Sequence, residues 1–447
     1  FTLSMQALNK NDTEQAMELA RQTLQGLPED APYLQHLASL GMNLIQGTLH
    51  RLRGDFAAAE RILTEASTLT QALDYPLLNM IATPILVEMY EARGELHKIA
   101  RLYQQPLQML HSTKQAPPEL AVWLYTAYAK LLRELNRLDE AENSIELALV
   151  AERRIQFKDL SLNCRLIQQG IMQARGRYEE ALQLLCAIEK ELPGKQLAML
   201  MVLARTRLLL MQGKEDEALL WLRESGLSYD DPLPELPDEM LFAQYMTLAR
   251  VHIAQGRRSP TEAHLTQALA LLGRFSALYE PAGFTGRVIE ILALMSLALQ
   301  AQGETQSALA TLRRAVFLAE PAGYVRVFAD EGEQMARLLA RLSFQKPATA
   351  AYLRTLLEAA SPESAQDGKE EARRKPPVVD TLLPEPLSAR EMEALELLAA
   401  GASNRDIAAR LVITPNTAKR HVKHILAKLA ATNRTQAVTR ARELHLL

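Results

Sequence analysis

Apolar residues recur every three or four positions through most of the first 360 residues, as in the run YEEALQLLCAIEKEL that begins at Tyr178. This spacing places the apolar side chains on one face of an α-helix. Leu and Ala supply most of the apolar set, and both favour helices over strands. The pattern therefore predicts an all-α protein.

Short turns separate the helical runs at steps of 37 to 47 residues. Each turn begins with Gly or Asn, which adopt the left-handed backbone of a helix end at little cost. A small or apolar residue follows five positions later and allows two helices to approach. One repeat is therefore a helix hairpin, and about eight hairpins are predicted. Their turn residues are Asn11, Gly54, Gly94, Asn136, Gly176, Gly213, Gly256 and Gly303.

Stacked helix hairpins form an α-solenoid with an extended concave surface. The array resembles a tetratricopeptide (TPR) array with units longer than the ~34 residues of that repeat, and an armadillo-like or HEAT-like solenoid is the alternative. Aromatic side chains could line the concave surface and bind a ligand or a peptide. The alternative is that most of them pack between helices. They are Trp123, Tyr125, Tyr128, Trp221 and Tyr245.

The composition changes in the segment SPESAQDGKEEARRKPPVVDTLLPEP, residues 361–386. It combines mixed charges and several prolines with no apolar period, which is typical of a flexible linker. The chain is therefore predicted to consist of a repeat domain at 1–360, a linker at 361–386 and a small domain at 387–447.

Four helices are predicted in the small domain. Ser388 and Glu391 form a capping box at the start of the first, and the second opens at Ser403. Thr414 caps the third helix, with a proline at the first helical position. The fourth starts at Asn433.

Positive charge is concentrated on the second and third of these helices. Residues 403–429 hold six Lys or Arg and one Asp, in a chain of formal charge −3. On the third helix, Ala418, Val422 and Ile425 share one face, while Arg420 and Lys423 lie opposite. Two helices joined by a tight turn, with donors on the exposed face of the second, form a helix-turn-helix that could bind DNA. The alternative is a solvated basic helix face.

This part of the chain resembles the LuxR/FixJ/NarL class of DNA-binding domain. The resemblance covers residues 387–447 and rests on LSAREMEALELLAAGASNRDIAARLVITPNTAKRHVKHILAKL and NRTQAVTRARELHLL. It implies that DNA bases are contacted by Lys419, Arg420 and Lys423. It implies contacts to the DNA backbone by Thr414, Asn416, Thr417, His424 and Arg434. It implies a dimer contact made by Ala437, Val438 and Ala441.

The segment LAEPAGYVRVFADEGEQMARLLARL, residues 318–342, resembles the MalT-type large regulators. Members of that family carry an N-terminal ATPase, a helical sensor array and this DNA-binding domain. The sequence contains no G-x-x-x-x-G-K-[ST] phosphate-binding loop. We therefore expect no cofactor in this chain, and ATP only if an upstream ATPase domain exists. The start at Phe1, already close to a helical run, predicts the C-terminal part of a longer protein.

These features predict a transcription regulator, with activation as the favoured mode. Its expected partners are double-stranded promoter DNA, a small-molecule inducer or a protein in the solenoid, and further copies of the chain. The alternative is a TPR-like interaction scaffold whose helix-turn-helix does not read DNA. The nine histidines form no H-E-x-x-H group, so neither an enzyme nor a metal site is expected. The chain has no apolar run of membrane-spanning length, and Cys164 and Cys186 are expected to be reduced core thiols, so a cytoplasmic protein is predicted.

Overall fold

The structure is a computed structural model of the 447-residue chain. It divides into two compact units, Phe1–Arg374 and Lys375–Leu447. The residues that it describes are 18–19, 21–22, 32–72, 79–112, 117–153, 158–191, 195–234, 239–258, 262–360, 394–395, 397–399, 402–411, 418–419, 422–423, 425–426, 431, 433–434 and 436–438. The predicted turn at Asn11, the linker at 361–386 and the capping box of Ser388 and Glu391 lie outside them, and the three predicted domain bounds stay a prediction.

The first unit is built from helices throughout its described residues, as the apolar period predicts. The first eight are α1 Pro32–Leu52, α2 Phe56–Ala72, α3 Asn79–Arg93, α4 Leu96–Ser112, α5 Pro118–Glu134, α6 Leu138–Glu152, α7 Lys158–Ala174 and α8 Tyr178–Glu191. The next six are α9 Lys195–Met211, α10 Glu215–Ser225, α11 Glu239–Arg258, α12 Glu262–Tyr279, α13 Thr285–Ala301 and α14 Thr305–Ala319. A 3-10 turn at Glu320–Ala322 leads to α15 Arg326–Ala329, α16 Glu333–Leu339 and α17 Pro347–Ala360.

Six of the eight predicted hairpin turns lie where the sequence predicts them. Gly54, Gly94, Asn136, Gly176, Gly213 and Gly303 all have a positive φ, and Asn136 is the one residue other than glycine in this conformation within the described part of the chain. The residue five positions after each turn is buried between the helices of a pair: Ala59, Ile99, Ala141, Ala181, Ala218 and Ala308. The spacing therefore identifies six hairpin turns correctly.

The predicted turn at Gly256 is wrong. Gly256 lies inside α11, two residues before its end. A Cβ atom at Gly256 would lie 2.4 Å from Cγ of Leu265 on α12. Glycine is therefore needed here because α11 and α12 pack closely. Glycine is also the common residue at a helix turn, which explains the wrong prediction.

Consecutive helices pack in pairs, and the odd-numbered helices form a layer of their own. α1 contacts α3, α5 contacts α7, and α11 contacts both α9 and α13. The even-numbered helices pack on the outside of this layer, each against its neighbours in sequence. This is the two-layer arrangement of a TPR-like superhelix.

The superhelix curls until its later helices contact its earlier ones. α13 packs against α3, and the rings of Phe56 and Phe284 meet edge to face with centroids 4.9 Å apart. The closest approach is at Gly286, where a Cβ atom would lie 2.1 Å from the backbone oxygen of Glu91. This contact joins early and late helices of the array, which the predicted stack of neighbouring hairpins with its extended concave surface does not include.

The aromatic residues singled out from the sequence pack mainly between helices. Tyr245 is buried, and Trp123, Tyr125 and Tyr128 are half-buried against core clusters. The side chain of Trp221, on α10, lies outside the described part of the structure. Of the described side chains in this set, none lies fully exposed to solvent.

The two cysteines differ in their surroundings. Cys164 is buried in the core, as expected, and burial raises the pKa of its thiol to about 11. Cys186 is exposed, so its expected place in the core is wrong. It stands on the outward face of α8, which the amphipathic pattern alone assigns to solvent. Among the helices of the described part, none has the length and apolar character needed to span a membrane.

Candidate functional site

The second unit is held together by a small apolar core. Its buried members come from four stretches of sequence and pack as one cluster. The second predicted helix is α18, Asn404–Leu411. Ser403 caps it: the backbone N–H of Asp406 donates to Oγ of Ser403 at 3.3 Å, and the backbone N–H of Ser403 donates to the Asp406 carboxylate at 2.9 Å. This reciprocal capping fixes the start of the helix where the sequence predicts it.

The third predicted helix has two distinct faces in the residues that are described. Ala418, Val422 and Ile425 are buried in the core cluster. Lys419 and Lys423, four residues apart, are exposed. Residues at this spacing lie one turn apart on the same side of a helix. The two ammonium groups are therefore free to approach a ligand from solvent.

The fourth predicted helix starts at Asn433, whose side-chain oxygen accepts a hydrogen bond from the backbone N–H of Gln436 at 2.9 Å. The guanidinium of Arg434 donates to the backbone oxygen of Ala402 at 3.2 Å and to the side chain of Asn404. Arg434 therefore joins the start of the fourth helix to the start of α18. Its predicted contact with the DNA backbone stays a prediction.

The dimer contact predicted for the fourth helix is restricted by the burial of its residues. Ala437 is fully buried in the core of its own unit. Val438 is half-buried against the same core, and the dimer contact of Ala437, Val438 and Ala441 stays a prediction. The other predicted residues of this surface lie outside the described part of the structure: Thr414, Asn416, Thr417, Arg420, His424 and Ala441.

A second site, absent from the sequence-based predictions, lies in the interior of the superhelix. Residues 324–332 follow α14 and the 3-10 turn, and they form hydrogen bonds with the end of α5. The backbone N–H groups of Val325 and Val327 donate to the backbone oxygen of Glu134 at 3.1 Å and to its carboxylate at 3.0 Å. We call residues 324–332 the insert.

The insert carries a buried carboxylate surrounded by guanidinium groups. Asp330 is 1% exposed and forms ion pairs with Arg133 of α5 and Arg326 of the insert. Arg326 also donates to the side chain of Asn136 at 3.1 Å. Burial alone would raise the pKa of Asp330, but the charges of Arg133, Arg326 and Arg207 hold it well below its ordinary value.

The next residue of the insert, Glu331, anchors the opposite side of the superhelix. Arg250 of α11 donates to Glu331 at 2.6 Å and to Glu290 of α13 at 2.8 Å. Burial lowers the pKa of Arg250, but these two carboxylates more than offset it and raise the pKa above its ordinary value. The insert therefore joins α5, α11 and α13 through ion pairs inside the superhelix.

One ion pair of the Asp330 cluster can be recognised from the sequence. Arg326 and Asp330 stand four residues apart in an otherwise apolar stretch, which is the spacing of a helical ion pair. The ion pairs of Arg133 and Arg250 cannot be recognised in this way, because their partners are far away in sequence. Among the described residues, no group of three or more His, Cys, Asp and Glu could hold a metal ion.

Comparison with known proteins assigns both regions. Residues 2–345 match the family described as the MalT-like TPR region, and residues 385–441 match the bacterial regulatory proteins of the luxR family. The chain is also similar to the HTH-type transcriptional regulator MalT of Serratia proteamaculans (strain 568). The identity is 24% over 465 residues, which cover 98% of this chain and 48% of that protein.

The chain thus spans about half the length of the curated relative that it matches. The first family match includes α1 to α16 and the ion-pair cluster of the insert. The chain therefore belongs to the family with a MalT-like TPR region, and its C-terminal unit is that of a LuxR-family bacterial regulatory protein.

Proposed function

We propose that this chain is a transcription regulator that binds double-stranded promoter DNA through residues 387–447 and senses a signal through residues 1–360. The observation that carries the proposal is the division of the third helix of the terminal unit. It buries Ala418, Val422 and Ile425 and exposes Lys419 and Lys423. A scaffold protein has no reason to keep donors on that face.

The chemistry of the exposed face suits the major groove of DNA. Guanine presents two acceptors there, which Lys and Arg side chains read. We assign base contacts to Lys419, Arg420 and Lys423. Contacts to phosphates position the helix without reading sequence. We assign these to Thr414, Asn416, Thr417, His424 and Arg434.

Selection from a pool of random DNA duplexes tests this proposal. The full chain is incubated with the pool at fixed salt, and the bound duplexes are amplified and sequenced over successive rounds. We expect one short motif, or a pair of copies of it, to be enriched. Enrichment of no motif would favour the alternative, in which the repeats form an interaction scaffold and the terminal unit does not read DNA.

We also propose that the regulator activates transcription and that association between chains controls it. A single helix-turn-helix makes few contacts, whereas two on one DNA site bind more tightly through effective concentration. A flexible linker at 361–386 would transmit no torque, so a signal in the repeats could act through association. Fusing a dimeriser to the chain should therefore strengthen binding to the selected duplex in sedimentation experiments, and equal binding with and without it would contradict this control.

A further inference from the structure

The interior of the superhelix contains a cavity beside the insert. Its volume is about 570 Å³, which lies in the range of small-molecule binding sites. Part of its lining is apolar, with Leu210, Ile253 and Leu294 from three odd-numbered helices. Gln173 of α7 and Arg207 of α9 belong to its polar lining.

Gln173 brings unsatisfied hydrogen-bond donors to this cavity. The residue is 4% exposed. Its Oε1 atom accepts a hydrogen bond from Gln169 at 3.4 Å, but its Nε2 atom has no acceptor among the described residues. A buried amide group without a partner is unfavourable. An acceptor on a bound molecule would satisfy it.

Among the arginines around Asp330, Arg207 lies farthest from the carboxylates that balance its charge. Arg133 and Arg326 pair closely with Asp330, whereas Arg207 lies 3.8 Å from that carboxylate and 3.4 Å from Glu331. Its Nε atom is buried and has no acceptor among the described residues. Burial and the nearby charge of Arg250 lower the pKa of Arg207. Arg207 is therefore held only by longer ion pairs, and one of its donors stays without an acceptor among the described residues.

From these observations we infer that the cavity binds a small organic anion. Its carboxylate or phosphate group accepts hydrogen bonds from Arg207 and Gln173, and its body packs against Leu210, Ile253 and Leu294. An anion of this kind supplies acceptors for the unpartnered Nε atom of Arg207 and Nε2 atom of Gln173, and its charge suits a guanidinium whose own ion pairs are long. The inference rests on the proposed sensing function and names the class of ligand that is sensed.

The position of the cavity connects the ligand to the C-terminal part of the chain. Ala359 and Ala360, the last residues of α17, belong to its lining, as do Asp330 and Glu331 of the insert. α17 directly precedes the proposed linker at 361–386. A bound anion would therefore contact the insert and the end of α17 at the same time.

Thermal unfolding of the full chain tests the inference in two steps, first without ligand. Arg207→Met is compared with the matched variant Arg133→Met. Arg133→Met removes a close partner of Asp330 and should lower Tm. Arg207→Met removes only longer ion pairs, and Glu331 keeps Arg250 as a partner, so Tm should fall less than in Arg133→Met. An equal fall in both variants would make Arg207 a structural ion-pair residue and overturn the inference.

The second step uses matched anionic and neutral probes at constant ionic strength. Benzoate is compared with benzamide, and glucose 6-phosphate with glucose, which separates carboxylate from phosphate recognition. We expect at least one anion to raise the Tm of the wild-type chain by a few degrees, and its neutral counterpart and the Arg207→Met chain to show a smaller shift or none. No shift with either anion, or the same shift in Arg207→Met, would overturn the inference. Binding of the wild-type chain to selected DNA, measured in parallel, tests the proposed function separately.

Discussion

At the scale of single residues, Asp330 is a buried carboxylate that depends on its guanidinium partners. Its carboxylate is 1% exposed, and it remains charged because Arg133 and Arg326 lie against it. Buried ion pairs of this kind gain little over apolar packing, but loss of one partner leaves a buried charge without compensation. Loss of one charge from this cluster is therefore expected to destabilise the packing of the insert against the helices.

Asp330→Asn should destabilise the repeat unit by about 3–5 kcal/mol, because it leaves Arg133 and Arg326 buried without their anion. Glu333→Gln is the matched control, since Glu333 pairs with Arg337 at the surface with both side chains more than half exposed. Exposed pairs contribute about 0–1 kcal/mol. Urea unfolding followed by circular dichroism measures both variants. Similar losses of unfolding free energy in the two variants would show that the buried Asp330 cluster contributes no more stability than an exposed ion pair.

Glu134 gives the repeat unit a pH dependence of opposite sign to that of an ordinary paired carboxylate. Burial raises its pKa from 4.5 to about 7, although Arg133 and Arg326 act against this shift. Between these values the folded chain holds a proton that the unfolded chain has lost. The free energy of unfolding therefore falls as pH rises from 4.5 to 7. The stability that the protonated Glu134 contributes is lost above that range.

Glu134→Gln removes this ionisable group and keeps an oxygen that can accept from the Val327 N–H. We expect the wild-type chain to lose about 1–3 kcal/mol more unfolding free energy than Glu134→Gln between pH 5 and pH 8. The comparison cancels histidine titration, which both chains share. Parallel stability profiles in urea would contradict a raised pKa at Glu134.

The sequence predicts single-residue environments well where they follow a local period. The buried Ala418 and Val422 and the exposed Lys419 and Lys423 follow from one turn of helical geometry. The Asp330 cluster does not, because Arg133 lies nearly two hundred residues before its partner. Charged residues at such distances can be paired only once the path of the superhelix is known.

At the scale of helices, the closure of the superhelix depends on the contact between α3 and α13. Gly286 lies in the first turn of α13 and brings its backbone against the end of α3. A side chain there would meet backbone oxygen atoms of Glu91 and Ala92, which cannot rotate away. The same contact is supported by Tyr324, whose hydroxyl donates to the backbone oxygen of Glu91 at 3.1 Å.

Gly286→Ala should therefore destabilise the repeat unit by about 1–3 kcal/mol through overpacking. Gly273→Ala is the matched control, because Gly273 also lies in a helix and a Cβ there meets nothing within 4 Å. That change should stabilise the chain by about 0.4–1 kcal/mol. Thermal and urea unfolding measure both. A neutral Gly286→Ala would show that α3 and α13 separate at little cost.

Hairpin turns were predictable from the sequence, and the closure was not. A turn needs only one residue with a positive φ, as at Gly176 and Asn136, and the helices on either side mark it. Gly256 and Gly286 carry the same residue type for a different reason, the close approach of another helix. Sequence alone cannot separate these two uses of glycine.

At the scale of the whole molecule, the two units divide the proposed tasks. The repeat unit holds the insert and the cavity, and the terminal unit holds the basic helix. The chain carries a formal charge of −3, so binding to DNA cannot come from overall charge. We propose that it comes from the local charge of residues 403–429, where the sequence places six Lys or Arg with one Asp.

The most direct test of this proposal measures the affinity of Lys423→Ala for the selected duplex and for random DNA at one salt concentration. Lys346→Ala is the control, since it removes the same charge from an exposed position in the repeat unit. If Lys423 reads a base, its loss should weaken binding to the selected duplex by about 1–3 kcal/mol and leave binding to random DNA nearly unchanged. Lys346→Ala should change neither affinity. Unchanged binding of Lys423→Ala to the selected duplex, or an equal loss on both DNAs, would contradict base reading by this helix.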